Sequence, residues 1–199
     1  KQELEETPFG GRGYGELIVH NDKLWQLGSG NDVWSSEDGV QWSQVTDNTP
    51  YGDRSATGVA SFNGRLWVIG GRLVQKNDPP EKGYHDYTTL NDVWSSEDGA
   101  NWTRVTEQAP WPPRMWSISE VYDNKLWVIG GFSNVNHENI GDVWYTEDGV
   151  AWQEFKSDPS FSARHEPTCY VFQNSLWVVA GNSWPVLNDV WKLTLPAVP

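Results

Sequence analysis

Leu66-Trp67-Val68-Ile69-Gly70-Gly71 and, further on, Asp92-Val93-Trp94-Ser95-Ser96-Glu97-Asp98-Gly99-Ala100-Asn101-Trp102 decide the fold, because both stretches recur along the chain. The Leu-Trp pair returns at Leu24-Trp25, Leu126-Trp127 and Leu176-Trp177, and Asp-Val-Trp returns at Asp32, Asp142 and Asp189. Glu-Asp-Gly begins at Glu37, Glu97 and Glu147 and leads each time to a tryptophan: Trp42, Trp102 or Trp152. An arginine stands ahead of every copy, at Arg12, Arg54, Arg114 and Arg164.

The spacings are rigid except in one place. Arg to Leu is always 12 residues, Asp to the closing Trp always 10, and that Trp to the next Arg always 12. Only the stretch from the Leu-Trp tryptophan to Asp varies: 7, 25, 15 and 12 residues. A unit that is fixed apart from one loop is a supersecondary module. Within it the pattern predicts four strands. For the second copy they are Thr57–Phe62, Arg65–Ile69, Asp92–Ser96 and Asn101–Val105, with Asn63-Gly64 as a hairpin turn and Glu97-Asp98-Gly99 as another. No segment holds a helical period. The expectation is an all-β propeller of four four-stranded blades in a single domain over residues 1–199. The repeats run at about 9–50, 51–110, 111–160 and 161–199, the last together with 1–8.

These residues resemble the kelch family: Leu66 to Gly71 is similar to its second-strand signature, Asp92-Val93-Trp94 to its third strand, and Trp102 to the tryptophan that closes each repeat. The stretch Ser35 to Trp42 is also similar to the Asp-box hairpin of sialidases, with Glu37 where that motif has Asp; that hairpin is a structural turn and implies no sialidase activity. Kelch rings more often have six or seven blades than four.

The fourth unit stops after Lys192-Leu193-Thr194-Leu195-Pro196 without a Glu-Asp-Gly turn, so a closed ring needs a strand from elsewhere. The expected donor is Gln2-Glu3-Leu4-Glu5-Glu6-Thr7-Pro8, since Pro8 precedes Arg12 by the spacing that separates Pro50 from Arg54 and Pro110 from Arg114. Such a clasp hides two sheet edges and favours a monomer. The alternative is a ring of eight blades made by two chains.

Composition narrows the partners. A net charge of −13 argues against nucleic acid or an anionic membrane surface. No apolar run is long enough to span a bilayer, so no membrane insertion is expected. Cys169 is the one cysteine, which excludes an internal disulfide, and His20, His85, His137 and His165 show no metal-ligand spacing. A chain that begins at Lys1 without Met fits a processed secreted or cell-surface protein, or a trimmed one. No cofactor is expected, and the partner is a protein or a carbohydrate.

Strand alternation puts the variable loop Arg72–Leu90 on the same face as the four arginines, and variable loops on a rigid scaffold carry binding. That face also carries Trp111, Trp116, Tyr84, Tyr87, His85, His137, His165 and Trp184. The aromatics that break the repeat, Trp111, Trp116, Tyr84, Tyr87 and Trp184, are the candidate ligand platforms. Arg12, Arg54, Arg114 and Arg164 have two readings. They tie blades together, as recurrence in every unit suggests, or they converge on the channel mouth and bind an anion. Glu16 and Glu120 fall in inner strands, where they line the channel or serve as an acid or base.

Two functions compete. A ligand-binding or protein-interaction propeller, with a glycan or an acidic ligand at the loop face, needs no catalytic residue, and none is evident. The resemblance also admits a sugar-modifying enzyme, since kelch propellers include copper-radical sugar oxidases and a sialic acid mutarotase. The oxidase type needs a cross-linked Cys–Tyr pair, and Cys169 beside Tyr170 does not supply one recognisably.

Overall fold

The computed structural model describes residues 1–74, 86–193 and 195. Its strands form four antiparallel sheets, each a blade, arranged as a β-propeller. The first blade is β1 (Glu16–His20), β2 (Lys23–Leu27), β3 (Val33–Ser36) and β4 (Trp42–Thr46), in that order from the inside outward. In the second, β6 (Gly58–Phe62), β7 (Arg65–Leu73), β8 (Thr89–Ser96) and β9 (Thr103–Thr106) repeat the plan, and the short β5 (Arg54–Ser55) pairs with the far end of β7. The third is β10 (Ile118–Tyr122), β11 (Lys125–Ser133), β12 (Glu138–Thr146) and β13 (Gln153–Glu154). The fourth has β14 (Thr168–Val171), β15 (Leu176–Val179) and β16 (Val190–Leu193). The variable stretch is partly sheet: β7 and β8 run on as a stalk beyond a bulge at Gly70, pairing Gly71 with Leu90 and Arg72 with Thr89.

Each inner hairpin turns through two residues of positive φ, which matches the twist of the strands it joins. Asn63-Gly64 does so as expected, and Asn21-Asp22, Asp123-Asn124 and Gln173-Asn174 do so without glycine. The outer hairpins are held by side chains. Ser36 Oγ accepts the Gly39 N–H, Asp38 Oδ1 accepts those of Val40 and Gln41, and Trp42 Nε1 donates to the Gly39 carbonyl. Ser96 and Asp98, then Thr146 and Asp148, repeat the arrangement. The Asn101 backbone N–H is foremost among the bonds that hold the Asp98 carboxyl down at about 2.

Between blades the core is a knob on a socket. Trp25 lies against Gly99 of the second blade, and Trp67 against Gly149 of the third, so closely that a methyl group on either glycine would overlap the indole. Around each contact sits an apolar cluster: Trp25, Leu27 and Val33 with Leu66, Val68 and Trp102, then Trp67, Ile69 and Val93 with Leu126 and Val128. Trp127 is fully buried among Ile129, Leu176 and Val178.

The expected clasp is not formed. Residues 1–8 contain no strand, the fourth sheet has three strands among the described residues, and no bond joins the N-terminal segment to Asp189–Leu193. Phe9 keeps the repeat's usual place, packed on Trp34 and Trp42 of the first blade with ring centroids at 6.0 and 5.2 Å, as Tyr51 packs on Trp94 and Trp102 of the second. Ahead of it, Leu4 is the one apolar side chain among residues 1–7, beside Glu3, Glu5 and Glu6, which is too little apolar surface to hold an edge strand.

Candidate functional site

The arginine frame is scaffold. Arg54 donates two bonds to the Asp92 carboxylate, at 2.9 and 3.2 Å, and others to the carbonyls of Gly70 and Tyr51. Arg114 pairs likewise with Asp142 and the Gly130 carbonyl, and Arg164 with Asp189 and the Ala180 carbonyl. Arg12 does the same with Asp32 and the Ser29 carbonyl. Burial alone would raise the Asp32 carboxyl, but the bonds from Arg12 and Trp34 outweigh it and lower its pKa. The backbone of the same arginines joins neighbouring blades: Gly30 donates to the Arg54 carbonyl, Gly71 to that of Arg114, and Gly131 to that of Arg164. Arg54, Arg114 and Arg164 are at most 2 % exposed. The four guanidinium groups are taken up by carboxylates and carbonyls of the scaffold, which favours the blade-tying reading of them over the anion site.

The reading of Trp111 as a ligand platform is corrected. It is 1 % exposed and packs tilted against Trp144 and edge-on against Trp152. Phe9, Tyr51 and Phe161 occupy the same place three residues before their arginines, and each lies under its own guanidinium as Trp111 does under Arg114. Trp111 is the repeat's own aromatic in its largest form. Tyr84 and His85 lie outside the described residues. Tyr87 stacks under the Arg72 guanidinium, 3.8 Å from its ring centroid.

The structure brings Trp116 and Trp184 together, in a pocket of about 440 Å³ with Tyr14, Phe132, His137, Asn139, His165, Glu166, Asn182 and Ser183. Its floor is a rim that follows from the repeat. The residue two places after each arginine is Tyr14, Ala56, Trp116 or Glu166, and all four have φ between 48 and 59°. Left-handed backbone in residues other than glycine is uncommon and concentrates at functional sites. Here the backbone links the positions, since Trp116 donates to the Ala56 carbonyl and Glu166 to the Trp116 carbonyl. The scaffold therefore fixes the conformation, with Ala56 turned into the core beside Met115 and Phe132 and with Tyr14, Trp116 and Glu166 bordering the pocket.

His165 is stacked on Trp116, with centroids 5.1 Å apart and planes 25° from parallel. Its Nδ1 lies 2.6 Å from Asn139 Oδ1, so Nδ1 carries the proton and Nε2 keeps its lone pair. Burial lowers its pKa and keeps the ring neutral at neutral pH, against a smaller opposing pull from Glu166. Glu166 Oε2 is 3.9 Å from Nε2 and accepts a bond from Asn182 Nδ2. On the second-blade side stands Arg72, the one arginine outside the frame on this mouth. It donates from Nε to Ser55 Oγ, lies 5.8 Å from the Tyr14 ring centroid, and pairs with no carboxylate among the described residues.

Tyr14, Trp116 and Glu166 stand just ahead of β1, β10 and β14, which with β6 line a second cavity of about 680 Å³ along the axis. Glu16 and Glu120 both line it, and burial raises both carboxyls. Cys169 lies there too, its thiol pushed up to about 12 by burial and so kept protonated. Among the described residues no group of histidines, cysteines and acids is placed to hold a metal ion, and no helix is long and apolar enough to cross a membrane.

Sequence reasoning placed His165 on this face but missed Tyr14, Asn139, Glu166 and Asn182. For Tyr14 and Glu166 the signal lay in position, two after the arginine, and not in residue type.

No family model matches the chain. The chain is similar to N-acetylneuraminate epimerase from two strains of Haemophilus influenzae, PittEE and 86-028NP, each 27% identical over 135 residues, which are 65% of this chain and 34% of the relative. It thus spans about a third of the length of the curated relatives it matches. The solved propeller YjhT superposes on all of this chain with a TM-score of 0.75, at 16% identity and over 69% of its own length.

Proposed function

We propose that this propeller acts on a sugar at the rim pocket, moving a proton at a cyclic hemiacetal so that the ring opens and recloses. The observation that carries the reading is the trio Trp116, His165 and Glu166, a flat stacking surface with a neutral imidazole and a carboxylate at its edge. The resemblance to the kelch family and the likeness to N-acetylneuraminate epimerase support it.

In this chemistry Nε2 of His165 takes the proton of the anomeric hydroxyl. The electrons of that O–H bond form the carbonyl as the bond from the anomeric carbon to the ring oxygen breaks. The imidazolium, stabilised by the Glu166 carboxylate, then gives its proton to the ring oxygen. Rotation and the reverse steps close the ring on either face, with no atom gained or lost. Asn139 holds the tautomer this requires, and Trp116 with Tyr14 supplies the apolar platform on which a sugar face stacks. For an acidic sugar, Arg72 is a cation at the same mouth among the described residues.

The test is the rate of anomer exchange, followed by magnetisation-transfer NMR, for N-acetylneuraminate and for neutral hexoses. The protein should accelerate exchange for at least one of them, and His165→Ala should lower that acceleration by roughly a hundredfold or more, the usual yield of a positioned acid–base group. Wild-type protein that neither accelerates exchange nor binds any of these sugars would falsify the reading. Binding without acceleration would point instead to a carbohydrate-binding propeller, which Trp184, 94 % exposed on the pocket edge, favours as the second reading.

A further inference from the structure

A row of paired side chains crosses three of the blades where their strands reach the mouth. It starts at the residue after the frame arginine and continues at the residue after Gly70-Gly71, Gly130-Gly131 or Ala180-Gly181. In the third blade the row is Met115, Phe132 and Asn139, and in the fourth it begins with His165 and Asn182. In the second it is Ser55, Arg72 and Thr89, paired directly across β5, β7 and β8. Opposed residues of antiparallel strands share a face, with Cβ atoms about 4.5–5.5 Å apart. Met115 and Phe132 make their part of the row apolar, in a buried cluster with Ala56, whereas the second blade's row is polar throughout.

That polar row is short of acceptors. Arg72 Nε donates to Ser55 Oγ at 2.8 Å, while neither Nη1 nor Nη2 has a hydrogen-bond partner among the described residues. Ser55 Oγ accepts that bond and keeps its own proton, for which no described residue supplies an acceptor. Thr89 is 8 % exposed, and its buried hydroxyl has no partner. Arg54, one place before Ser55, shows the contrast: its Nε, Nη1 and Nη2 all donate, to Asp92 or to carbonyls. Buried polar groups are almost always hydrogen-bonded, so donors gathered on one face without an acceptor mark a place that an anion completes. The guanidinium is also held still. Its carbon lies 3.8 Å from the Tyr87 ring centroid and 5.8 Å from that of Tyr14, and the Tyr87 carbonyl accepts a bond of 2.6 Å from Asn134 of the third blade. Fixed at Nε and over a ring, an arginine presents its two Nη groups as a planar fork, the shape that fits a carboxylate or a phosphate.

We infer that Ser55, Arg72 and Thr89 form an oxyanion site on the second blade's mouth. It takes the carboxylate or phosphate group of a small ligand in the fork of Arg72, with the two hydroxyls as further donors. The site goes beyond the sugar chemistry at His165 and does not depend on it, since an inorganic anion has no ring to open.

The test is a low-salt NMR titration of the 199-residue protein with inorganic phosphate and, separately, with acetate. At least one should bind saturably and shift the amides of Ser55, Arg72 and Thr89, and which of them binds more tightly tells a phosphate site from a carboxylate site. Arg72→Ala should weaken that binding roughly tenfold or more, and Thr89→Val, which keeps the shape and removes the hydroxyl, about threefold or more. Arg104→Ala makes the same change of charge on the outer strand of the same blade and should leave the affinity within about twofold. Circular dichroism melts establish that each variant is folded. Saturable binding of neither anion overturns the inference, as do shifts confined to other parts of the molecule. So does a loss in Arg104→Ala equal to that in Arg72→Ala, which would be the effect of net charge alone. Parent affinity in Thr89→Val overturns it too, because Arg72 would then be a surface cation without a built site.

Discussion

Replacing Arg114 with alanine separates scaffold from ligand site in one experiment. The guanidinium is 1 % exposed and donates to Asp142 at 2.5 and 2.9 Å, to the Gly130 carbonyl at 3.0 Å and to the Pro112 carbonyl at 3.2 Å. Removing it leaves a largely buried carboxylate and a carbonyl without donors, and breaking a buried pair from one side costs about 3–5 kcal/mol. Each kcal/mol shifts the melting temperature of a domain this size by about 2–4 °C, so the loss should be roughly 6–20 °C by circular dichroism. Replacing both partners with apolar residues, Arg114→Met with Asp142→Leu, should recover a large part of that, because the stranded charge goes too. Arg72→Ala should change stability by no more than about 1 kcal/mol, as it removes a ring contact at the surface and no buried pair. The reasoning fails if Arg114→Ala melts within about 2 °C of the parent while binding of an acidic sugar is lost. That guanidinium would then be facing a ligand.

Two further expectations concern the turns. Gly149→Ala and Gly64→Ala both place a side chain at positive φ, but only the first drives it into an indole, so Gly149→Ala should cost about 1–3 kcal/mol more in urea melts, and equal losses would remove the knob-and-socket account. The carboxyls of Asp38, Asp98 and Asp148 are depressed by turn N–H groups, Asp98 to about 2, below the roughly 3.9 of an unfolded aspartate, so their stabilisation is complete above that value and is lost as pH falls toward 2. Asp98→Asn should flatten the fall in stability between about pH 4 and pH 2, and an unaltered slope would show that the turn carboxylate contributes nothing.

What the sequence discloses tracks what the repeat encodes chemically. Leu-Trp, Asp-Val-Trp and Glu-Asp-Gly are read directly because each needs one residue type for one contact: an indole over a glycine, a carboxylate for a guanidinium. The arginines had a legible partner too, since Asp32, Asp92, Asp142 and Asp189 recur as regularly as they do. Trp111 misleads because its identity is unusual while its place is ordinary; Phe9, Tyr51 and Phe161 do the same work with smaller rings. The Pro8 spacing marks the same approach to the first blade that Pro50 and Pro110 mark for theirs. It is silent on residues 1–7, where Leu4 is the one apolar side chain and no strand forms. Tyr14, Ala56, Trp116 and Glu166 are the hardest case, because what they share is a backbone angle and not a functional group.

That shared angle has an evolutionary consequence. A tyrosine, an alanine, a tryptophan and a glutamate hold the same left-handed conformation at one repeat position, three of them joined by main-chain bonds from Trp116 to Ala56 and from Glu166 to Trp116, and all flanked by arginines whose charges are met elsewhere. Selection can therefore exchange Tyr14, Trp116 and Glu166 as letters are exchanged in a fixed frame, while Ala56, 4 % exposed against Met115 and Phe132, belongs to the core. Specificity and stability are written in separate residues of the same repeat. A library randomised at those three positions alone should yield folded propellers whose selectivities diverge, and ligand preference should drift faster in such a protein than its architecture does.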